Sequence, residues 1–147
     1  MADGYVVEAA GVTKRFRDSR GGALLTAVDC LDIRAARGKM TALIGPDGAG
    51  KTTFLRMVCG LMFPTEGILS VLGISVADKP ADVQRRLGYM PQRFGLYEDL
   101  TCMENMSLYA DLHGISAEER KERFEKLFHM TGLAPFAHRL AGKLSGG

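Results

Sequence analysis

With 147 residues the chain is long enough for one domain with a buried core and too short for two large ones. Its 19 basic and 17 acidic residues are interleaved and leave a formal net charge of +2, so no strong field argues for nucleic acid or an anionic membrane surface as a partner. The longest apolar stretch, Met57 to Phe63, is broken by Gly60 and falls far short of the roughly 20 residues of a membrane helix; the start, Met1 to Gly4, lacks the basic head and apolar run of a secretory signal. A cytoplasmic location is the expectation.

Along the chain, β-prone runs at Tyr5-Val6-Val7 and Ala27 to Ile33 flank a polar, glycine-containing turn at Asp18 to Gly22, which predicts an antiparallel β layer. Met40-Thr41-Ala42-Leu43-Ile44 is a short apolar run ended by glycine, as expected of a strand buried on both faces of a parallel sheet. Thr52 to Cys59 then reads as a helix stopped by Gly60. Ile68 to Leu72 is a further β run, and Pro80 to Arg86 a short helix leading into Leu87-Gly88-Tyr89-Met90. From Thr101 the chain reads as mainly helical. Thr101 with Glu104 and Ser116 with Glu119 form two capping boxes, and the second helix sets Phe124, Leu127 and Phe128 on one face and Glu119/Arg123 and Glu122/Lys126 pairs on another.

Gly45-Pro46-Asp47-Gly48-Ala49-Gly50-Lys51-Thr52 fits G-x-x-x-x-G-K-[ST], the phosphate-binding loop. Its glycines let successive backbone N–H groups curl around phosphate oxygens, and the helix start after it adds partial positive charge. Lys51 is placed to reach the β- and γ-phosphates, Thr52 to ligate Mg2+, and Thr53 to donate near the α-phosphate. Strand, loop and helix stand in the order such a loop requires. The loop alone says only nucleotide binding, because many enzyme classes share it.

The last four residues, Leu144-Ser145-Gly146-Gly147, match the LSGG signature, and with the Walker A loop upstream the chain resembles the nucleotide-binding domain of an ABC transporter. Gln92, in Tyr89-Met90-Pro91-Gln92, resembles the Q-loop glutamine that senses Mg2+ and the γ-phosphate and faces the transmembrane partner. Val12-Thr13-Lys14-Arg15-Phe16 resembles the A-loop, with Phe16 stacking on adenine. The resemblance implies an α/β P-loop NTPase fold of ABC type with an N-terminal antiparallel β layer and a helical subdomain, its C-terminal part missing. Residues 1 to about 91 would form the β layer and P-loop core, and about 92 to 147 the Q-loop and helical subdomain. The implied cofactors are ATP and Mg2+. Lys51 and Gln92 would be catalytic, and Thr52 and Gln92 would serve the metal. Phe16, Val28, Gly45, Pro46, Asp47, Gly48, Ala49, Gly50, Lys51, Thr52, Thr53, Ser145, Gly146 and Gly147 would bind nucleotide, the last three on a second domain's ATP. Asp47 stands where asparagine is commoner.

The implied partners are a second nucleotide-binding domain and transmembrane permease subunits, which would hold the chain at the inner face of the cell membrane; no nucleic acid is expected. The stretch Gln92 to Thr101 and the segment ending Leu108 to Gly114 look most like bacterial multidrug or ABC-2 type exporters. The Walker B aspartate, the water-activating glutamate, the D-loop and the switch histidine follow the signature in the family and are not among these residues, so the stretch alone is expected to bind ATP but hardly hydrolyse it, as part of a larger parent. Rival readings are a soluble ABC ATPase, a non-catalytic binding module and, last, a P-loop kinase. Cys30, Cys59 and Cys102 are odd in number and set among apolar neighbours, which reads as reduced core thiols rather than disulfides or a zinc site. His113, His129 and His138 have no metal-ligand company in the sequence.

Overall fold

The computed structural model describes residues 4–17, 22–92 and 95–144, and divides the chain into two compact units, Met1–Tyr89 and Met90–Gly147. In the first unit β1 (Tyr5–Arg17) and β2 (Leu24–Ala36) pair antiparallel along nearly their whole length, from Tyr5 against Ala36 to Arg17 against Leu24. The expected β layer is there, with strands longer than the apolar runs suggest; most of the expected turn, Asp18 to Gly21, lies outside the described residues. β3 (Glu66–Val71) adds to the other edge of β1, and the two-residue β4 (Ile74–Ser75) to β3, giving the order β2-β1-β3-β4.

Helix α1 (Lys51–Val58) covers this sheet with Phe54 and Met57, which join Ala9, Val12, Val28, Leu69, Val71, Val76 and Val83 in the core. Burying each of those two side chains contributes about 1.5–3 kcal/mol. The helix stops as expected. Gly60, at φ 66°, donates to the Met57 carbonyl at 2.9 Å and Leu61 to the Arg56 carbonyl at 3.0 Å, the paired bonds of a Schellman cap. Val83 is the buried residue of the short helix α2 (Pro80–Gln84).

Two expectations fail in this unit. Residues 40–44 are not a strand, and Met40 and Ile44 are 100% and 92% exposed. An isolated extended run gains nothing without a neighbour to accept its ladder bonds, and among the described residues no strand lies beside it. The resemblance puts that neighbour, the Walker B strand, after the signature. Cys30 is not a core thiol but exposed. It takes φ 43° where the β1–β2 register slips between Val12/Leu31 and Lys14/Val28, so its side chain leaves the alternation that would bury it. Its N–H donates to Thr13 Oγ1 at 3.0 Å. Cys59 is half-buried, with burial pushing its thiol pKa up, and Cys102 is buried.

The second unit is helical. α3 (Cys102–Leu112) starts at Thr101, whose Oγ1 accepts from the Glu104 N–H at 3.2 Å while the Glu104 carboxylate accepts from the Thr101 N–H at 2.8 Å. That backbone bond, then the Thr101 hydroxyl, hold the Glu104 pKa below the ordinary carboxylate range. α4 (Ala117–Thr131) starts at Ser116, which accepts from the Glu119 N–H at 3.3 Å. Phe128 is buried with Cys102 and Ala137, and Phe124 packs partly against them. Leu127 is exposed, so the apolar face of α4 is narrower than its spacing suggests. Arg123 pairs with Glu119 at 3.5 Å; among the described residues Glu122 and Lys126 do not pair. None of the helices described is long and apolar enough to cross a membrane.

Candidate functional site

The glycine-rich loop, residues 45–50, delivers the chain into α1. Gly48 and Gly50 both take φ 82°, a region closed to most side chains, and the Ala49 N–H donates to the Pro46 carbonyl at 3.3 Å. Gly50 is the N-cap of α1 and its carbonyl accepts from the Phe54 N–H at 2.9 Å. At this position the loop is pressed onto β2. A Cβ on Gly50 would sit 2.1 Å from the Ala27 carbonyl oxygen and 3.2 Å from Val28 Cγ2, which shows how Val28, itself buried in the core, lies under the loop.

The start of α1 differs from those of α3 and α4. It has no side-chain cap and no acidic residue in its first turn, whereas Thr101 and Glu104 close α3 and Ser116, Glu118 and Glu119 begin α4. Uncapped amides beside loop glycines form a positive concavity suited to an anion. Lys51 Nζ reaches back over the loop and donates to the carbonyls of Gly45 and Pro46 at 2.7 and 2.6 Å. Its ammonium is thus held at the loop rather than spread into solvent. Asp47 and Thr52 are exposed and Thr53 half-buried.

Phe16 sits near the far end of β1, half-buried and opposite Leu25, two residues beyond Lys14, whose cross-strand partner is Val28. The structure therefore brings Val28, Gly45, Pro46, Ala49, Gly50 and Lys51 together, with Phe16 on the same strand pair.

Gln92 belongs to the second unit and is exposed. Residues 95–101, further along the chain, are fixed by α3, something no sequence motif announces. The Tyr109 hydroxyl donates to the Gly95 carbonyl. One turn earlier Asn105, 1% exposed, accepts from the Tyr97 N–H at 2.8 Å and donates to the carbonyls of Tyr97, Leu100 and Thr101 at 2.9, 3.2 and 3.0 Å. The only trace of this in the sequence is an asparagine four residues into a capped helix, where its short amide can reach back over the preceding turn.

The approach to the signature is laced to the same place. Cys102 and Met103 N–H groups, free donors at the start of α3, bond the carbonyls of Arg139 and Ala137 at 3.1 and 2.9 Å, and Ala141 and Gly142 N–H groups bond those of Leu100 and Glu98 at 2.8 and 3.1 Å. Leu144 packs on the Cys102–Phe128–Ala137 cluster, while Ser145, Gly146 and Gly147 lie outside the described residues. Replacing Asn105 by alanine would strand the Tyr97 backbone groups, and a loss of about 2–3 kcal/mol of stability is expected, read from denaturant unfolding followed by a probe in the helical unit. His113, His129 and His138 are exposed, and among the described residues no three His, Cys, Asp or Glu side chains gather as a metal site.

Comparison with known proteins agrees with this geometry. The chain is 49% identical over 142 residues to the probable multidrug ABC transporter ATP-binding protein YbhF of Escherichia coli, an alignment covering 97% of this chain and 24% of that protein. It is 32% identical over 136 residues to the ABC transporter ATP-binding protein NatA of Bacillus subtilis, covering 92% of this chain and 54% of NatA. The chain thus spans about a quarter and about half of the lengths of these relatives. Among solved structures, the ATP-binding cassette MJ0796, dimeric in a post-hydrolysis state with ADP and Pi, superposes with a TM-score of 0.83 at 28% identity, covering 95% of this chain and 63% of that one. Residues 28–147 match the family described as ABC transporter, and the chain belongs to that family.

Proposed function

We propose that this chain is ATP-binding machinery of a multidrug-type ABC exporter, working at the inner face of a membrane through permease subunits and closing with a second nucleotide-binding domain around ATP. The observation that carries the reading is the loop itself: two left-handed glycines, an uncapped helix start and a lysine ammonium drawn onto the loop carbonyls. The likeness to YbhF supports the exporter class, and that to the dimeric cassette supports the second domain.

In this reading the amides of residues 48–53 bind the phosphate oxygens, and Lys51 exchanges its two carbonyl acceptors for the β- and γ-phosphates. Phe16 stacks on the base and Val28 backs the loop. Thr52 would serve Mg2+, which would supply charge neutralisation on the phosphates when bound. Ser145, Gly146 and Gly147 serve the nucleotide of the partner domain. Positioning and electrostatics dominate phosphoryl transfer to water, so these 147 residues by themselves bind nucleotide and turn it over hardly at all, lacking the Walker B and water-activating carboxylates.

The test is a paired measurement on the isolated stretch: binding of a fluorescent ATP analogue with Mg2+, and phosphate release. Saturable binding that excess ATP displaces, with release near the no-enzyme background, is expected. No binding would sink the nucleotide reading. Turnover comparable to an intact transporter domain would sink the division of labour.

A further inference from the structure

We propose that Lys14 is a positioning residue of the base platform, fixing one face of the Phe16 ring so that the other is presented to adenine; this rests on the reading of Phe16 as the stacking residue. Lys14 Nζ lies 5.3 Å from the centroid of the Phe16 ring and at the same time donates to the Phe63 carbonyl at 2.8 Å. The two residues are i and i+2 on β1, so they share a face of the strand. That strand is anchored at the same level, where Thr65 N–H donates to the Thr13 carbonyl at 2.8 Å and Arg15 N–H to Thr65 Oγ1 at 3.1 Å.

The consequences follow from elementary electrostatics. A phenylalanine ring near a strand end that is only half-buried can change rotamer, and a base that stacks on it must first stop that motion. An ammonium over the ring is attracted to its negative face, and because this ammonium is tethered to the segment that leaves α1, it restrains the ring from one side. The cation also draws density from the ring, which lowers repulsion against the electron-rich face of a purine on the opposite side. Lys14 faces Val28 across the strand pair, and Val28 lies under Gly50, so the tether belongs to the same patch of sheet that supports the phosphate loop. Lys14 is therefore no catalytic residue. It acts through Phe16.

The experiment measures equilibrium binding of ATP and of inorganic tripolyphosphate, each with Mg2+, to the protein as its gene encodes it, comparing wild type, Lys14→Met, Lys14→Arg, Phe16→Ala and the double variant Lys14→Met/Phe16→Ala, with thermal melts to confirm folding. Phe16→Ala is expected to weaken ATP about tenfold and leave tripolyphosphate unchanged. Lys14→Met is expected to weaken ATP about threefold to fivefold, again without effect on tripolyphosphate, to add nothing in the Phe16→Ala background, and to be largely rescued by arginine. If Phe16→Ala leaves ATP affinity intact, the base-platform reading fails and this proposal with it. If Phe16→Ala acts and Lys14→Met does not, Lys14 alone is overturned. Equal loss of ATP and tripolyphosphate in Lys14→Met, or a loss that persists without Phe16, would reduce Lys14 to a tether of β1 and overturn its positioning role.

Discussion

Lys51→Ala is expected to reduce ATP turnover of the full-length protein about a hundredfold or more while costing little stability. In the folded chain the ammonium makes two loop bonds, to Gly45 and Pro46, and both acceptors lie at the exposed rim. Their loss leaves solvent-accessible carbonyls, so the stability cost is about 1 kcal/mol. In the proposed reading the same ammonium, with nucleotide bound, would meet the negative charge that builds on the leaving-group oxygens as their bond to the γ-phosphorus breaks, and no other basic side chain of the loop can replace it. Arginine should not rescue: its planar fork cannot sit as a point charge between carbonyls 2.7 and 2.6 Å from one nitrogen. Steady-state phosphate release and thermal unfolding measured on the same preparations decide the matter. Turnover within a few-fold of wild type would remove Lys51 from the chemistry, and a collapse of the melting transition would make it a structural residue instead.

What could be read from the sequence divides along the range of the interactions. Helix starts were legible because a cap is settled within four residues: Thr101 and Glu104 do what their spacing requires, as does Ser116 toward the Glu119 amide. The stop at Gly60 was legible for the same reason. Strand length was not. Glu8 to Arg17 carries charges and a glycine and looks unlike a strand, yet it pairs with β2 up to Arg17 and on its other edge with β3 up to Thr13, and that pairing spans separations no local pattern encodes. Met40 to Ile44 shows the converse. Its apolar composition reports a demand for burial, and a strand forms only where a neighbour meets that demand. Among the candidate site residues, the glycine-rich loop was legible because its left-handed glycines and the helix start they lead into are local backbone conformation. The hold of Asn105 and Tyr109 on Gly95 to Thr101, and the lacing of residues 137–142 to the head of α3, are tertiary and left no motif.

The two left-handed glycines of the loop allow strain and contact to be separated by experiment. Gly48 and Gly50 share φ 82°, so an alanine at either is forced into a backbone region that costs an L-residue about 1 kcal/mol. Their surroundings differ. At Gly48 an added Cβ meets nothing within 4 Å, whereas at Gly50 it falls 2.1 Å from the Ala27 carbonyl oxygen, a backbone atom of β2 that the β1 ladder holds in place. Gly48→Ala should therefore lose about 1 kcal/mol, and Gly50→Ala about 3 kcal/mol or more, since either the loop lifts off β2 or the strand moves with Val28 and the core behind it. Nucleotide affinity should follow the lifting of the loop, because the carbonyl of Gly50 accepts the Phe54 amide and sets the direction of the first turn of α1. Denaturant unfolding of the two variants side by side gives the comparison. Equal losses would mean that the loop sits clear of β2 in solution, and that Val28 backs neither the loop nor the nucleotide.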